Sequence, residues 1–356
     1  MEIGIFQLLP APETLGDREV IGQALWEVDF AEASGFGSVW ITEHHLSSFG
    51  LVGAPSVFAA AVAQRTERMG IGYAVAVLPL HHPLRLAEEI AWVDNLSHGR
   101  VMVGLGPGFS PFEFAAFGVP LGERHARLAE GSAIVRGLLA SETFSYSGNF
   151  WSIPPVTLRP RPYRGCSPPF LRASSSMESL RGAALEGVPL MLGLKPAAEI
   201  AERVAAYRAA RSELGVALAE IDDEVAGFRV LRRIALGPTD EEALADARRA
   251  LEWETRTARR VHGADLPQSA PTADGSTAAE AAAAITGGCV GTPPTVAREL
   301  LALRALGIRH VIAWLNFGDM PFAKVRRSME LLRQEVMPEL AAAEELLPSD
   351  CAVAGR

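Results

Sequence analysis

Residues 70–105 read GIGYAVAVL, then PLHHPLRLAEEIAWVDNLSHG, then RVMVGL. The outer segments, 70–78 and 100–105, are short runs rich in Val, Ile and small residues, as buried strands are. The segment between them carries Pro83 where a helix tolerates proline at its start, and Gly99 follows its expected end. Strand, helix, strand in this order is the crossover unit that builds parallel sheets. The same alternation recurs outward in both directions. Strands are expected at 3–9, 38–42, 170–173, 189–192, 228–236 and 309–315, with helices between them and Asp17 opening the first. That makes eight units, and no second apolar pattern suggests a separate body. The expected fold is therefore an α/β protein, a (β/α)8 TIM barrel over residues 1–345 with a short tail at 346–356.

Two stretches break the alternation around the fourth unit. Residues 109–121 and 143–168 are expected as insertions over the barrel mouth. The second contains the hairpin signal Phe144-Ser145-Tyr146-Ser147-Gly148-Asn149-Phe150, followed by a proline-rich run. A third stretch, 261–284, combines Ser, Thr, Asp and Gly with an alanine run, and a mobile lid is expected there.

Composition narrows the class of function. With 33 Lys+Arg against 42 Asp+Glu the formal charge is −9, and no basic block offers a footprint for nucleic acid. The longest apolar run, near Ala74–Leu80, is far below the ~20 residues that span a bilayer. The start Met1-Glu2-Ile3-Gly4-Ile5-Phe6 has neither a basic nor an apolar leader region, so a cytoplasmic protein is expected. Cys166, Cys289 and Cys351 are too few and too scattered for a disulfide framework or a metal knuckle.

In a barrel of this kind, chemistry gathers where strands end. That filter selects Glu43-His44-His45, then His81-His82, then Gly104-Leu105-Gly106-Pro107-Gly108, then Ser174-Ser175-Ser176 with Ser179. Adjacent histidines on a strand point to opposite faces, so neither pair has the spacing of a metal site, and acid/base use of one histidine is the stronger expectation. His81 reads as a bystander. The glycine run lacks the helix that a dinucleotide fingerprint needs directly after the strand, and reads instead as a wall where backbone is approached closely. The serines fall at the N-cap and first turn of a helix, a place suited to a phosphate.

Taken in order, several segments together resemble the bacterial luciferase family of flavin-dependent monooxygenases. They are Val39-Trp40-Ile41-Thr42-Glu43-His44-His45-Leu46 with Phe49–Gly53, Ala76-Val77-Leu78-Pro79 with His82-Pro83, Leu96-Ser97-His98-Gly99-Arg100, Ala183–Pro189, Gly291-Thr292-Pro293, and Ser328–Leu332 with Val336-Met337-Pro338. The resemblance is strongest to the catalytic subunit, and it implies a barrel that takes reduced FMN from a separate flavin reductase. It further implies that O2 is activated as a C4a-(hydro)peroxyflavin and that a hydrophobic substrate, an aldehyde, ketone or natural-product scaffold, is oxygenated. His44 matches the histidine beside the reactive edge of the flavin, flanked by Glu43 and His45. Ala74 and Val75 match a pair joined by a cis peptide under the ring. Ser176 and Ser179 match positions that hold the FMN phosphate, in the same serine cluster as Ser174 and Ser175, with Arg124 or Arg127 as its cationic partner, and the wall at Gly104 and Gly106 is where the flavin is expected to approach. A homodimer packed through early helices is implied as well. The sequence departs from luciferase at Pro107, where many relatives carry arginine, at Gly106, where luciferase has a reactive cysteine, and at Leu194, where it has tryptophan. Two alternatives remain open: an oxidoreductase using the deazaflavin F420 on the same barrel, and a non-catalytic partner like the luciferase β subunit.

Overall fold

The computed structural model describes residues 1–174, 176–262, 285 and 288–345. Eight parallel strands close a barrel: β1 (Glu2–Gln7), β2 (Ser38–Ile41), β3 (Gly70–Val77), β4 (Val101–Gly106), β7 (Phe170–Ser174), β8 (Leu190–Leu192), β9 (Arg229–Leu236) and β11 (His310–Trp314). Each pairs with the next, β11 returns to β1, and β8 meets β9 to complete the ring. All eight lie within a residue or two of the positions read from the alternation. One further strand was not expected: β10 (Gly288–Gly291) extends the upper half of β9, with Cys289 opposite Ile234. Its four residues, two of them glycine, carry too little apolar pattern to read as a strand.

Helices α1 (Asp17–Ser34), α2 (Pro55–Ala63) and α3 (Pro83–Leu96) cover the first units, and Pro83 opens α3 as its place in the sequence suggests. The insertions resolve into a six-residue helix α4 (Pro111–Ala116), helix α5 (Arg124–Ala140) and an antiparallel hairpin of β5 (Phe144–Ser147) and β6 (Ser152–Val156). A helix therefore does follow the glycine run, but only after a gap, at Pro111. The proline-rich run contains a cis Arg159–Pro160 bond. Helices α6 (Met177–Glu186), α7 (Ala197–Glu213) and α8 (Leu218–Ala226) continue the outer ring.

Helix α9 (Asp240–His262) takes a different course. Asp240 accepts from Thr292 beside β10, and Arg249 donates to Asp319 O in the loop after β11. Trp253 and Arg260 reach Glu13 in the loop after β1, and Arg260 also reaches Ser48 in the loop after β2. A helix that meets the loops after β11, β1 and β2 in turn lies across the C-terminal rim, so α9 roofs part of the mouth. Val261 and His262 end this helix, which corrects the expected lid at its first two residues. The remainder, 263–284, and the tail at 346–356 lie outside the described residues, as does Ser175.

The barrel interior is filled, not hollow. Trp40 lies beside Gly4 and Gly72 of the flanking strands: a Cβ on Gly72 would strike its ring, and one on Gly4 would strike Ser38, with Trp40 Nε1 only 3.1 Å away. Arg229, three strands away around the ring, stacks over Trp40 at 5.8 Å. At the N-terminal end, Arg100 uses its guanidinium to satisfy Met69 O, Thr66 O and Ala63 O and binds Ser97 O through Nε. The bottom is thus tied together by a half-buried, hydrogen-bonded arginine.

Candidate active site

The rim divides into two arcs. The first runs along the neighbouring strands β2, β3, β4 and β7. Beyond β2 the chain alternates faces, so Glu43 and His45 point one way and His44 the other. His44 Nδ1 lies 3.1 Å from Glu113 Oε1, and the backbone N–H of His45 donates to the same oxygen at 2.9 Å. Glu113 is 1% exposed and comes from α4, whose N-cap Ser110 accepts from the Glu113 N–H. Phe49 and Phe109 stand edge-on to the His44 ring at 4.9 and 5.8 Å. The carboxylate holds the ring in one orientation through Nδ1.

On the opposite face, His45 Nε2 donates to Glu43 Oε1 at 2.7 Å, and His81 Nε2 approaches both Glu43 oxygens at 2.8 and 2.9 Å. The Val77 N–H donates to Glu43 Oε2 at 2.8 Å. Burial pushes the Glu43 carboxyl up, but the hydrogen bonds from His45 and His81, the His81 charge and the Val77 N–H outweigh it and hold it at about 2. Burial in turn pushes His81 down, but its hydrogen bond and charge pairing with Glu43 leave it above the usual histidine range. His81 is therefore no bystander: it is half of an ion pair that ties the end of β2 to the loop after β3. No group of three or more metal-ligating side chains is found among the described residues, and the two histidines of the first pair serve separate carboxylates.

The Ala74–Val75 peptide is cis, as the resemblance implies, and the pairing of β3 with β4 shifts register between Tyr73 and Ala76. The glycines of β4 answer to this irregularity. A Cβ on Gly104 would lie 2.4 Å from Tyr73 O, and one on Gly106 would lie 2.2 Å from Val75 Cγ2. Their missing side chains make room for β3, and the wall here is backbone and Val75.

Beyond β7, Ser174 ends the strand and is buried, its Oγ donating to Ser176 O at 3.2 Å. Ser176 is the N-cap of α6 and accepts from the Ser179 N–H at 3.1 Å, while Ser179 Oγ donates to Ala173 O. The serines thus share the capping work more widely than a placement of all three in the cap and first turn foresees. The N–H groups of Met177 and Glu178 stay at the positive end of the helix. Arg124 opens α5 and binds Leu121 O, and among the described residues no hydrogen bond joins it to the serines. Arg127 is committed elsewhere, paired with Glu123 and stacked over Phe150 at 4.5 Å.

The second arc, β9, β11 and β1, has a different character. Phe6, Trp314 and Arg233 share the inward face, with Trp314 edge-on to Phe6 at 5.2 Å and Arg233 over Trp314 at 4.7 Å. Glu254 descends from α9 onto Arg233. Neither Glu113 nor this pair was read from the sequence. The signal for Glu113 is the Ser110-Pro111-Phe112-Glu113 spacing of a helix start, which sets a glutamate in the first turn of a helix at the mouth. Arg233 and Glu254 are 21 residues apart on elements whose meeting no local pattern announces.

The family described as luciferase-like monooxygenase matches residues 1–310. An uncharacterised protein of Sinorhizobium fredii is 30% identical over 308 residues, 85% of this chain and 87% of that one. Of two further curated relatives the alignments span 48% and 59%. Among solved structures, the monooxygenase RslO1 from Streptomyces bottropensis superposes with a TM-score of 0.83 at 28% identity, covering 96% of this chain and all of that one. The oxygenating constituent of 3,6-diketocamphane monooxygenase from Pseudomonas putida, a type II Baeyer–Villiger enzyme solved with FMN, has the same fold at 20% identity, with a TM-score of 0.77 over 95% of this chain and 98% of its own.

Proposed function

The chain belongs to the luciferase-like monooxygenases, and from that membership we propose that it oxygenates a hydrophobic organic substrate with O2 and reduced FMN delivered by a separate flavin reductase. The observation that carries this reading is the buried His44–Glu113 pair, set on the same arc as the cis Ala74–Val75 segment and the flat strand end at Gly104 and Gly106.

The residues present fit a flavin. A wall of backbone and Val75 suits a planar ring, and the Ser176-capped start of α6 suits its phosphate. Ser174, Ser176 and Ser179 would hold that end, with Arg124 at the start of α5 as the cation. When bound, the cofactor supplies two electrons and the activation of O2. The chain supplies the rest: His44 holds or yields a proton at Nε2, Glu113 fixes the ring and its tautomer, and Glu43 with His45 and His81 fixes the strand end that carries His44. Phe49 and Phe109, edge-on to His44, give its ring an apolar border.

The test is anaerobic titration with reduced FMN, reduced riboflavin and reduced F420. Tight binding of FMN supports the reading, and Ser176→Ala with Ser179→Ala should weaken FMN about tenfold while leaving riboflavin unchanged. Equal weakening of both removes the serines from the phosphate. Binding of F420 with no binding of FMN replaces the monooxygenase reading by the deazaflavin oxidoreductase.

The same reading includes a dimer. Helices α2 and α3 form a groove whose lips carry Val57 and Trp92, 71% and 59% exposed, with Arg85 and Glu88 along one side. Large apolar side chains so exposed, flanked by complementary charges, suit a second copy of the chain.

A further inference from the structure

The outer face of α9 is built from arginine. Arg248, Arg249, Glu252, Arg256, Arg259 and Arg260 recur at the three- and four-residue spacing that lines one side of a helix, and all of them are exposed. The other side, with Ala247, Ala250, Leu251, Trp253, Glu254 and Thr257, is buried. Over about 18 Å of helix, at 1.5 Å per residue, one carboxylate faces a row of guanidiniums, in a chain whose formal charge is −9.

The fold makes little use of these cations. Arg249 donates to Asp319 O, and Arg260 meets Glu13 and Ser48. The side chains of Arg248, Arg256 and Arg259 make no hydrogen bond or ion pair among the described residues. Like charges three and four residues apart disfavour a helix, so the stripe is not there to stabilise α9. The helix dipole accounts for cations in the last turn, Arg259 and Arg260, but not for Arg248 and Arg249 about three turns earlier.

The stripe ends at the mouth. Arg260 Nη2 donates to Ser48 Oγ at 3.1 Å, and the next residue, Phe49, is the ring that stands edge-on to His44. Helix α9 also touches α4, which brings Glu113 to His44. The basic face therefore borders the approach to His44, and its field reaches ~10 Å at 0.1 M salt and less as salt rises. An acidic protein repels an anion at long range, whereas a local cationic lip reverses that sign at the entrance.

We propose that the arginine face of α9 steers the phosphate-bearing cofactor into the mouth, raising its rate of capture. This rests on the flavin reading of the site for the identity of the anion. The stripe serves arrival and not the seated complex. The proposed phosphate seat at α6 follows β7, three strands round the barrel from β2, and exposed guanidiniums attract at a distance while giving weak fixed contacts.

The experiment is anaerobic stopped-flow binding of reduced FMN and reduced riboflavin, which differ by the phosphate alone, to the full chain at about 20 mM and about 500 mM sodium chloride. The association rate of FMN is expected to fall about tenfold from the lower salt to the higher, and that of riboflavin to stay constant. Arg248→Glu with Arg256→Glu and Arg259→Glu should slow FMN about tenfold at low salt and reverse its salt dependence, with riboflavin unchanged and the FMN dissociation rate within about twofold of wild type. An FMN association rate that ignores salt, or that the triple variant leaves unaltered, overturns the proposal, and so does an equal slowing of riboflavin. If wild-type protein binds no reduced FMN, the monooxygenase reading fails and reduced F420, also an anion, becomes the probe. Capture of F420 that depends on salt and on the three arginines keeps this proposal; capture that does not, or no binding, overturns it.

Discussion

The Nδ1 of His44 meets a carboxylate that also holds the backbone N–H of His45, so ring and main chain share one anchor, Glu113. Removing the charge of that anchor should cost more than a single hydrogen bond. Glu113→Gln is expected to lower the rate of oxygenation by about ten- to a hundredfold, toward the lower end of general acid/base effects, with flavin affinity nearly unchanged. An unaltered rate in steady-state turnover would separate Glu113 from the chemistry. Glu43 plays a different part, since its two histidines and the Val77 N–H make it a brace. Its carboxyl is held down to about 2 from an ordinary 4.5, so its stabilisation is complete above 4.5 and is lost as pH falls through 2. His81 is raised above 6.5, so its share is complete below 6.5 and is lost as pH rises through its own, higher value. Both shares are therefore present between pH 4.5 and 6.5. Glu43→Gln should destabilise most in that window, by about 3–5 kcal/mol as for a broken buried pair, and denaturant melts at pH 5.5 and 9 should differ accordingly. A pH-independent loss would contradict the ion-pair account. The histidines of this cluster were legible because they follow strand ends; the roles of His81 and Glu113 were not, because both depend on partners 38 and 69 residues away.

Among the elements, β3 and β4 form the unit on which the proposed flavin wall depends. Gly106 faces Val75 at a distance no Cβ tolerates. Gly106→Ala is expected to cost about 1–3 kcal/mol by overpacking and to weaken flavin binding at least tenfold, with both effects relieved by Val75→Ala in the same chain. Thermal melts and flavin titrations of the single and double variants measure the coupling, and additive effects would show that the glycine serves something else. These strands were readable in advance because their apolar runs are long and bounded by Pro83 and Gly99. The orientation of α9 was not, because its sequence shows an amphipathic helix without saying what it lies on. Its course across the rim is set by contacts of Arg249, Trp253 and Arg260 with three separate loops.

For the molecule as a whole, the barrel concentrates its redundancy at the bottom, where Arg100 binds four carbonyls, and the proposed chemistry lies at the top. The eight-unit alternation made that architecture readable from one end of the chain to the other, since each unit repeats the same local logic. The proposed dimer rests on fewer residues. If α2 and α3 are the dimer face, Trp92→Glu should convert the protein to a monomer in light scattering at micromolar concentration, leaving its fold unchanged; a dimer that persists would move the interface elsewhere. The central claim, that His44 governs oxygen chemistry on a reduced flavin, is tested most directly by stopped-flow mixing of the anaerobic protein–FMNH2 complex with O2. Wild-type protein should give a long-lived absorbance band distinct from oxidised flavin, and His44→Ala should bind FMNH2 equally well but lose that band quickly, releasing H2O2 in place of product. Identical traces and identical coupling in the two proteins would contradict the account.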